Sequence, residues 1–178
     1  MILTGKIVYP HLFTPQAIDE KSDKKFSCSL LLPKSDPHAA EVVAKVDSLI
    51  NEKLGGEPPD DRYMPVKDGD DAGNPDYAGC WELRCKSKDD QRPGVVDGAL
   101  NLITDPSHIV GGDNVRISVN LYAYNKRYRG IGIQLNNVQF ISKGEKVIGA
   151  GKKRPEDEFE PIPGSKPANS TASSFLNG

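Results

Sequence analysis

Read by apolar and polar positions, the chain divides into short alternating runs, one helical run and stretches with neither pattern. Residues 3–9 and 26–32 read as strands. In the second, Phe26, Cys28, Leu30 and Leu32 fall at period two, which turns Ser27 and Ser29 outward. The most regular alternation is VRISVNLYAY, where Val115, Ile117, Val119, Leu121 and Ala123 alternate with Arg116, Ser118, Asn120, Tyr122 and Tyr124. It predicts a strand with one face in a core and the other polar and aromatic. After the turn NKRYRG, Ile131, Ile133 and Leu135 continue inward, the pattern slips at Asn136-Asn137, and Val138 and Phe140 resume it. A slip of this kind predicts a β-bulge, which bends a strand as a closed barrel requires. CWELRCK at residues 80–86 predicts a further strand, and residues 99–103 a short one after the VVDG turn. Trp81 shares parity with Leu83 and Cys85 and is read as core, leaving Glu82, Arg84 and Lys86 outward.

The helical run begins at Ser35-Asp36-Pro37, where Asp36 can cap free amides and proline suits the first helical position. Ala39, Val42, Val43, Val46, Leu49, Ile50 and Leu54 then recur at three-to-four spacing, and Gly55-Gly56 ends the run. Residues 55–78 carry turn formers and acids without periodicity and read as a surface excursion. Its DGDDAGNPD segment invites a calcium-loop reading, but Ala72 stands at a ligand position and Gly79 where the closing glutamate belongs, so no metal site is expected. Five or six short strands and one helix, without a βαβ rhythm, predict a mainly β chain: an OB-type β-barrel capped by one helix. The helix falls after the second strand, whereas the usual OB order puts it after the third. Residues 1–148 form this domain, and residues 149–178 read as a flexible tail, first basic and then acidic.

Charge changes the picture through its distribution. The formal net charge is −2, yet from Arg116 to Arg154 the basic residues face a single acid, Glu145, before Glu156, Asp157, Glu158 and Glu160 follow. A basic body tied to an acidic tail favours a polyanionic partner. No signal peptide and no membrane-length apolar run is visible, which points to a soluble intracellular protein without a membrane partner. Cys28, Cys80 and Cys85 lack a CxxC pair and His11, His38 and His108 are scattered, which argues against a disulfide framework or a zinc site. No catalytic elbow, metalloprotease helix or phosphate-cradling loop is present, and Asp97 and Asp105 sit in ordinary turn sequences, Asp105 with the look of a helical cap. Neither an enzyme nor a cofactor is expected.

Binding a single strand of nucleic acid takes cations to replace counterions and exposed aromatic faces for unstacked bases. Both occur together twice. The predicted hairpin from Asn120 to Gly130 carries Tyr122 and Tyr124 outward and leads into Lys126, Arg127, Tyr128 and Arg129 at its tip, with Arg116 on the same face. The second cluster comprises Tyr77, Trp81, Arg84, Lys86, Lys88 and Arg92. The same patterns fit a packed tyrosine ladder and cations that guard a sheet edge, and the residues alone do not choose between these readings. Phosphate neutralisation serves duplex DNA as well as single strands, and a virion or assembly barrel would carry similar surface charge.

The stretches TGKIVYPHLFTP, FSCSLLLPKSD, RPGVVDG, VRISVNLYAYN, GIGIQLNNVQ and RPEDEF, in this order, resemble a phage family of single-stranded-DNA-binding proteins, the Enc34-like type once known only as a domain of unknown function. The match runs from about residue 4 to about residue 159, with YAYN and LNNVQ the most specific segments. The resemblance implies an OB-fold protein made during infection, acting in the host cytoplasm in DNA replication or recombination and contacting single-stranded DNA. The acidic tail around Phe159 would compete for the DNA site or dock replication proteins, and homo-oligomers are compatible with this reading. Two departures are the acidity of the DGDDAGNPD loop and the neutral SSFLNG terminus.

Overall fold

The computed structural model describes residues 1–145 and 159–164. Among these, seven strands form one sheet: β1 (Ile2–Gln16), β2 (Lys25–Pro33), β3 (Val66–Asp68), β4 (Cys80–Lys88), β5 (Gly94–Val96), β6 (Asn114–Asn125) and β7 (Arg129–Ser142). Their order is β3-β4-β2-β1-β6-β7-β5, and a further pairing of β4 with β7 closes a five-stranded ring. That closing contact is parallel, Lys86 opposite Gln134, whereas the other neighbours within the ring are antiparallel. The expected OB-type barrel is present, with β3 and β5 as short additions outside the ring. Residues 99–103 contribute one isolated bridge, Leu102 to Val96, and the short strand forms just before them instead.

The core follows the alternation. Val115, Ile117 and Val119 of β6 are fully buried together with Ile133, Leu135 and Val138 of β7. Register passes from Ser118 opposite Asn137 to Val119 opposite Leu135, so Asn136 is the extra residue of the predicted bulge. The amides around the bulge also fasten β5 to β7: Asn137 Oδ1 accepts from the Gly94 amide at 3.2 Å, and Gln139 Nε2 donates to the Asp97 carbonyl at 3.3 Å. Asp105 accepts from Ser107 in a turn and does not cap a helix.

α1 (Pro37–Lys53) starts where Asp36 accepts from the His38 amide at 2.9 Å. It stops at Gly55 and Gly56, whose φ angles of 76° and 84° are disfavoured for residues with a side chain. Its buried face, Val46, Leu49 and Ile50 with Leu54, meets Ile131, Leu121 and Ala123 and plugs one end of the barrel. Truncating a leucine in such a position costs about 2–5 kcal/mol. No helix among the described residues is long and apolar enough to cross a membrane.

The excursion is more ordered than its composition suggests. It contains β3 and three short 3-10 helices, each begun by a side chain that accepts from a backbone amide two residues on: Asp60, Asp68 and Asn74. Lys34 Nζ lies 2.5 Å from both Asp68 and Asp70, and these carboxylates raise its pKa while it lowers theirs. The excursion packs on the outer faces of β1 and β2, where Tyr77 joins Val8 and Leu31 in a second buried layer. Two outward assignments fail for this reason: Ser29 and Glu82 are buried, with the Ser29 hydroxyl donating to Glu82 Oε1 at 2.8 Å. Trp81 packs partly buried against the main core, with Lys34 Nζ 4.8 Å from its ring centre.

The boundary near residue 148, most of the tail, and Glu156, Asp157 and Glu158 lie outside the described residues. Phe159 and Glu160 are both exposed.

Candidate nucleic-acid interface

β4 and the β6–β7 hairpin lie side by side at the closing seam, because the parallel contact of Lys86 with Gln134 brings the outward residues of β4 next to those of β7. Over this seam opens a cleft of about 230 Å³. Its floor is Ile131, Gly132 and Ile133 of β7; its aromatic wall is Tyr63, Tyr122 and Tyr124; and its cations are Lys25, Arg62, Arg84 and Lys86. Tyr122 is 46% exposed, and its ring centre is 6.2 Å from that of Tyr124 at an interplanar angle of 47°. Tyr124 is half-buried, and its hydroxyl pKa is raised by desolvation first, then by Tyr122 and Tyr63.

The cations differ in what already holds them. Arg84 NH2 donates to Glu82 Oε2 at 3.1 Å, and Arg62 Nε to Asp60 Oδ1 at 3.0 Å. Lys86 has no carboxylate partner among the described residues. Its pKa is lowered by partial desolvation in the cleft, then by the like charges of Lys25 and Arg84. Crowded cations of this kind are stabilised by any anion that enters between them. A second cleft shares Lys25 and Lys86 and is bounded by Gln16, Ile18, Lys21, Asp23 and Ser27. A third hollow shares Arg62 and Arg84 and adds Lys67, but is also lined by Asp61, Asp68, Asp71 and Glu82. The basic cleft is therefore bordered by several carboxylates at the excursion and, at the start of β2, by Lys21 and Lys25 with the single acid Asp23.

Of the residues singled out in the sequence, Arg84, Lys86, Tyr122 and Tyr124 meet in this cleft. Lys88 is exposed at the end of β4, opposite Lys25. Lys126, Arg127 and Tyr128 are exposed at the hairpin tip, where Tyr128 stacks on Tyr63 with ring centres 5.2 Å apart and the Arg127 guanidinium carbon lies 5.4 Å from the Tyr128 centre. Others are elsewhere. Tyr77 is 5% exposed, and its hydroxyl pKa is pushed well up by burial and by a hydrogen bond with Tyr9, so no base can reach its face. Arg129 turns back to the Leu54 and Pro58 carbonyls at 3.3 and 3.4 Å, with Glu57 at 3.5 Å, and fastens the hairpin to the end of α1. Arg92 lies over the Phe13 ring, Arg116 donates to Gln139, and Asn120 lines a different hollow with Met1 and Glu41. Lys25, Arg62 and Tyr63 join the cleft without standing out in the pattern of the chain. The visible signal for the last two was a basic-aromatic pair inside an otherwise acidic excursion.

A five-stranded barrel closed by one parallel contact, with cations and tyrosines in a cleft on its outer face, has the architecture of the OB-type barrels, whose surfaces take oligonucleotides. Within that class the chain belongs to the family described as the ssDNA-binding protein of Enterobacter phage Enc34, which it matches over residues 1–171. Its fold is similar to that of the single-stranded DNA-binding protein from bacteriophage Enc34 in complex with ssDNA, at 22% identity and a TM-score of 0.69, over 81% of this chain and 86% of that one. Another structure of the Enc34 protein gives 23% identity and a TM-score of 0.67, over 89% and 88% of the two chains. The single-stranded DNA-binding protein gp2.5 encoded by bacteriophage T7 is also similar, at 16% identity and a TM-score of 0.54, over 94% and 98%. At these identities the likeness is one of fold. No curated protein sequence matches the chain.

Proposed function

We propose that this protein binds single-stranded DNA without sequence preference, inside the infected host cell, and that it does so without catalysis. The observation that carries the reading is the meeting of Tyr63, Tyr122 and Tyr124 with Lys25, Arg62, Arg84 and Lys86 in one cleft of a chain that belongs to a family of phage ssDNA-binding proteins. The exposed face of Tyr122 stacks a base, Tyr124 and Tyr63 bracket its neighbour, and the lysines and arginines replace phosphate counterions. From the cleft the strand runs over Lys25 and Lys86 towards β2, away from the carboxylates of the excursion. Lys126 and Arg127 add charge at the tip, and Lys88 lengthens the basic edge. Titration of labelled oligo(dT) and of a matched duplex at two salt concentrations tests this. Tighter binding of the single strand at both is expected, and equal affinity would return the cleft to a general phosphate surface.

The tail forms the second part of the proposal. PEDEFEP sets carboxylates around Phe159 after a basic run, and a tethered polyanion has a high effective concentration at a cationic cleft. Glu156, Asp157, Glu158 and Glu160 compete weakly for the phosphate positions, and DNA releases them with Phe159 for replication partners. Truncation after Arg154 is expected to tighten DNA binding at low salt, with the gain shrinking as salt rises. Equal affinities across the salt range would make the segment a spacer.

A further inference from the structure

Register and space single out two glycines beneath the tyrosines. β6 and β7 place Tyr122 opposite Gly132 and Tyr124 opposite Gly130. A methyl group on Gly132 would lie 2.4 Å from Cζ of Tyr122 and 2.5 Å from its hydroxyl oxygen. One on Gly130 would lie 2.3 Å from the Tyr124 hydroxyl oxygen and 2.8 Å from Cβ of Tyr63. Non-bonded carbons rest at about 3.5–4.0 Å, so each ring occupies the volume that a side chain on β7 would fill. Neither glycine has a positive φ, so the backbone at both positions is open to any residue. What these positions require is absence of a side chain, the close-approach use of a strand glycine. With the rings laid across β7, Tyr122 stays 46% exposed, while Tyr124 and Tyr63 both close over Gly130.

We infer that Gly132 and Gly130 are positioning residues of the DNA contact: by leaving the surface of β7 bare they let the rings of Tyr122 and Tyr124 lie across it, which presents the exposed Tyr122 face to a base. This rests on the stacking role proposed above. A cross-strand tyrosine can also cover a glycine merely to stabilise a hairpin, and the two roles separate experimentally. Alanine at position 132 suits a strand better than glycine, so the barrel should stand while the ring is pushed upright.

The test is oligo(dT) titration of Gly132→Ala, Tyr122→Ala and the double variant, with thermal unfolding of each. If the glycine positions the ring, Gly132→Ala weakens binding about as much as Tyr122→Ala does, roughly fivefold or more. Its salt slope stays unchanged because the phosphate contacts persist. In the Tyr122→Ala background the same substitution should then change affinity by less than about twofold, since the two act through one ring. Wild-type affinity in Gly132→Ala beside a weakened Tyr122→Ala overturns this inference alone, as does a further loss of similar size when Gly132→Ala is added to Tyr122→Ala. Wild-type affinity in Tyr122→Ala instead removes the stacking role. Gly130→Ala, read in the same cycle against Tyr124→Ala, supplies a second reading should Gly132→Ala not fold. Failure of both single variants to fold overturns the inference, because positioning requires rings that can move while the barrel stands.

Discussion

The β6–β7 hairpin and the excursion of residues 55–78 contribute neighbouring walls of one cleft by different routes. The hairpin places Tyr122 and Tyr124 through a local rule: in a strand with a buried face, every second residue must leave the core, so alternation in the chain becomes orientation in space. The excursion places Arg62 and Tyr63 through tertiary docking, in which Tyr63 stacks on Tyr128 at 5.2 Å and Arg129 clasps the Leu54 and Pro58 carbonyls. Such docking leaves no period in the sequence. A site built half by each route is half legible beforehand, and variants in the two halves test whether both bind DNA.

Aromatic truncation is expected to show the largest effect. Tyr122→Ala should weaken oligo(dT) binding by about 1–3 kcal/mol with the fold retained, and Tyr63→Ala by about 1 kcal/mol, because Tyr128 already covers one face of the Tyr63 ring. Fluorescence titration of the folded variants decides. A Tyr63→Ala protein that binds like wild type would leave the excursion as scaffold and give the site to the hairpin alone.

The same contrast separates the features that are legible in the chain from those that are not. The Asp36 cap, the Gly55-Gly56 stop and the bulge at Asn136 are local in cause, and all three stand in the structure. Alternation turns Ser29 and Glu82 outward on the premise that β2 and β4 are covered on one face; the excursion covers part of the other and brings its own Tyr77 into that buried layer, and alternation cannot report a second cover. β3 is too short for a period and exists through its pairing with β4. Lys25 precedes the alternating run of β2 and becomes a site residue only where β7 closes the ring beside β4. Arg129 followed Lys126 and Arg127 in a basic tip, and nothing in that run distinguishes a cation that faces solvent from one that holds a helix end.

Charge substitutions sharpen that last distinction at a smaller scale. Lys86→Gln and Arg62→Gln should each reduce the slope of log affinity against log salt by about 0.7, as loss of one single-strand phosphate contact does. Arg129→Gln should leave the slope unchanged and lower folding stability by about 1 kcal/mol through its lost bonds to Leu54 and Pro58. Parallel titrations over a salt series and denaturant melts separate the two. A slope reduced in Arg129→Gln would return that residue to the DNA surface.

Proton linkage should produce the smallest effect, and it bears on the β4 side of the cleft. The pKa of Lys86 in the free protein lies below the ordinary lysine value, through desolvation and then repulsion from Lys25 and Arg84. An incoming phosphate favours the ammonium form and moves the pKa back up, so between the free and bound values the complex holds more protons than the separated partners. Affinity is therefore full below the free-state value and declines as pH rises through it. Folding responds in the opposite sense. The folded value lies below the unfolded one, the unfolded chain binds more protons between them, and the Lys86 contribution to stability increases over that range. A screened, partly exposed group makes both changes modest. Other groups of the protein can also titrate at alkaline pH, so the decisive variant is Lys86→Arg, which keeps the charge and removes the titration. Its affinity should stay flat over the alkaline range where wild type weakens. An identical alkaline decline in both proteins would assign the effect to another group and remove Lys86 from the proton balance.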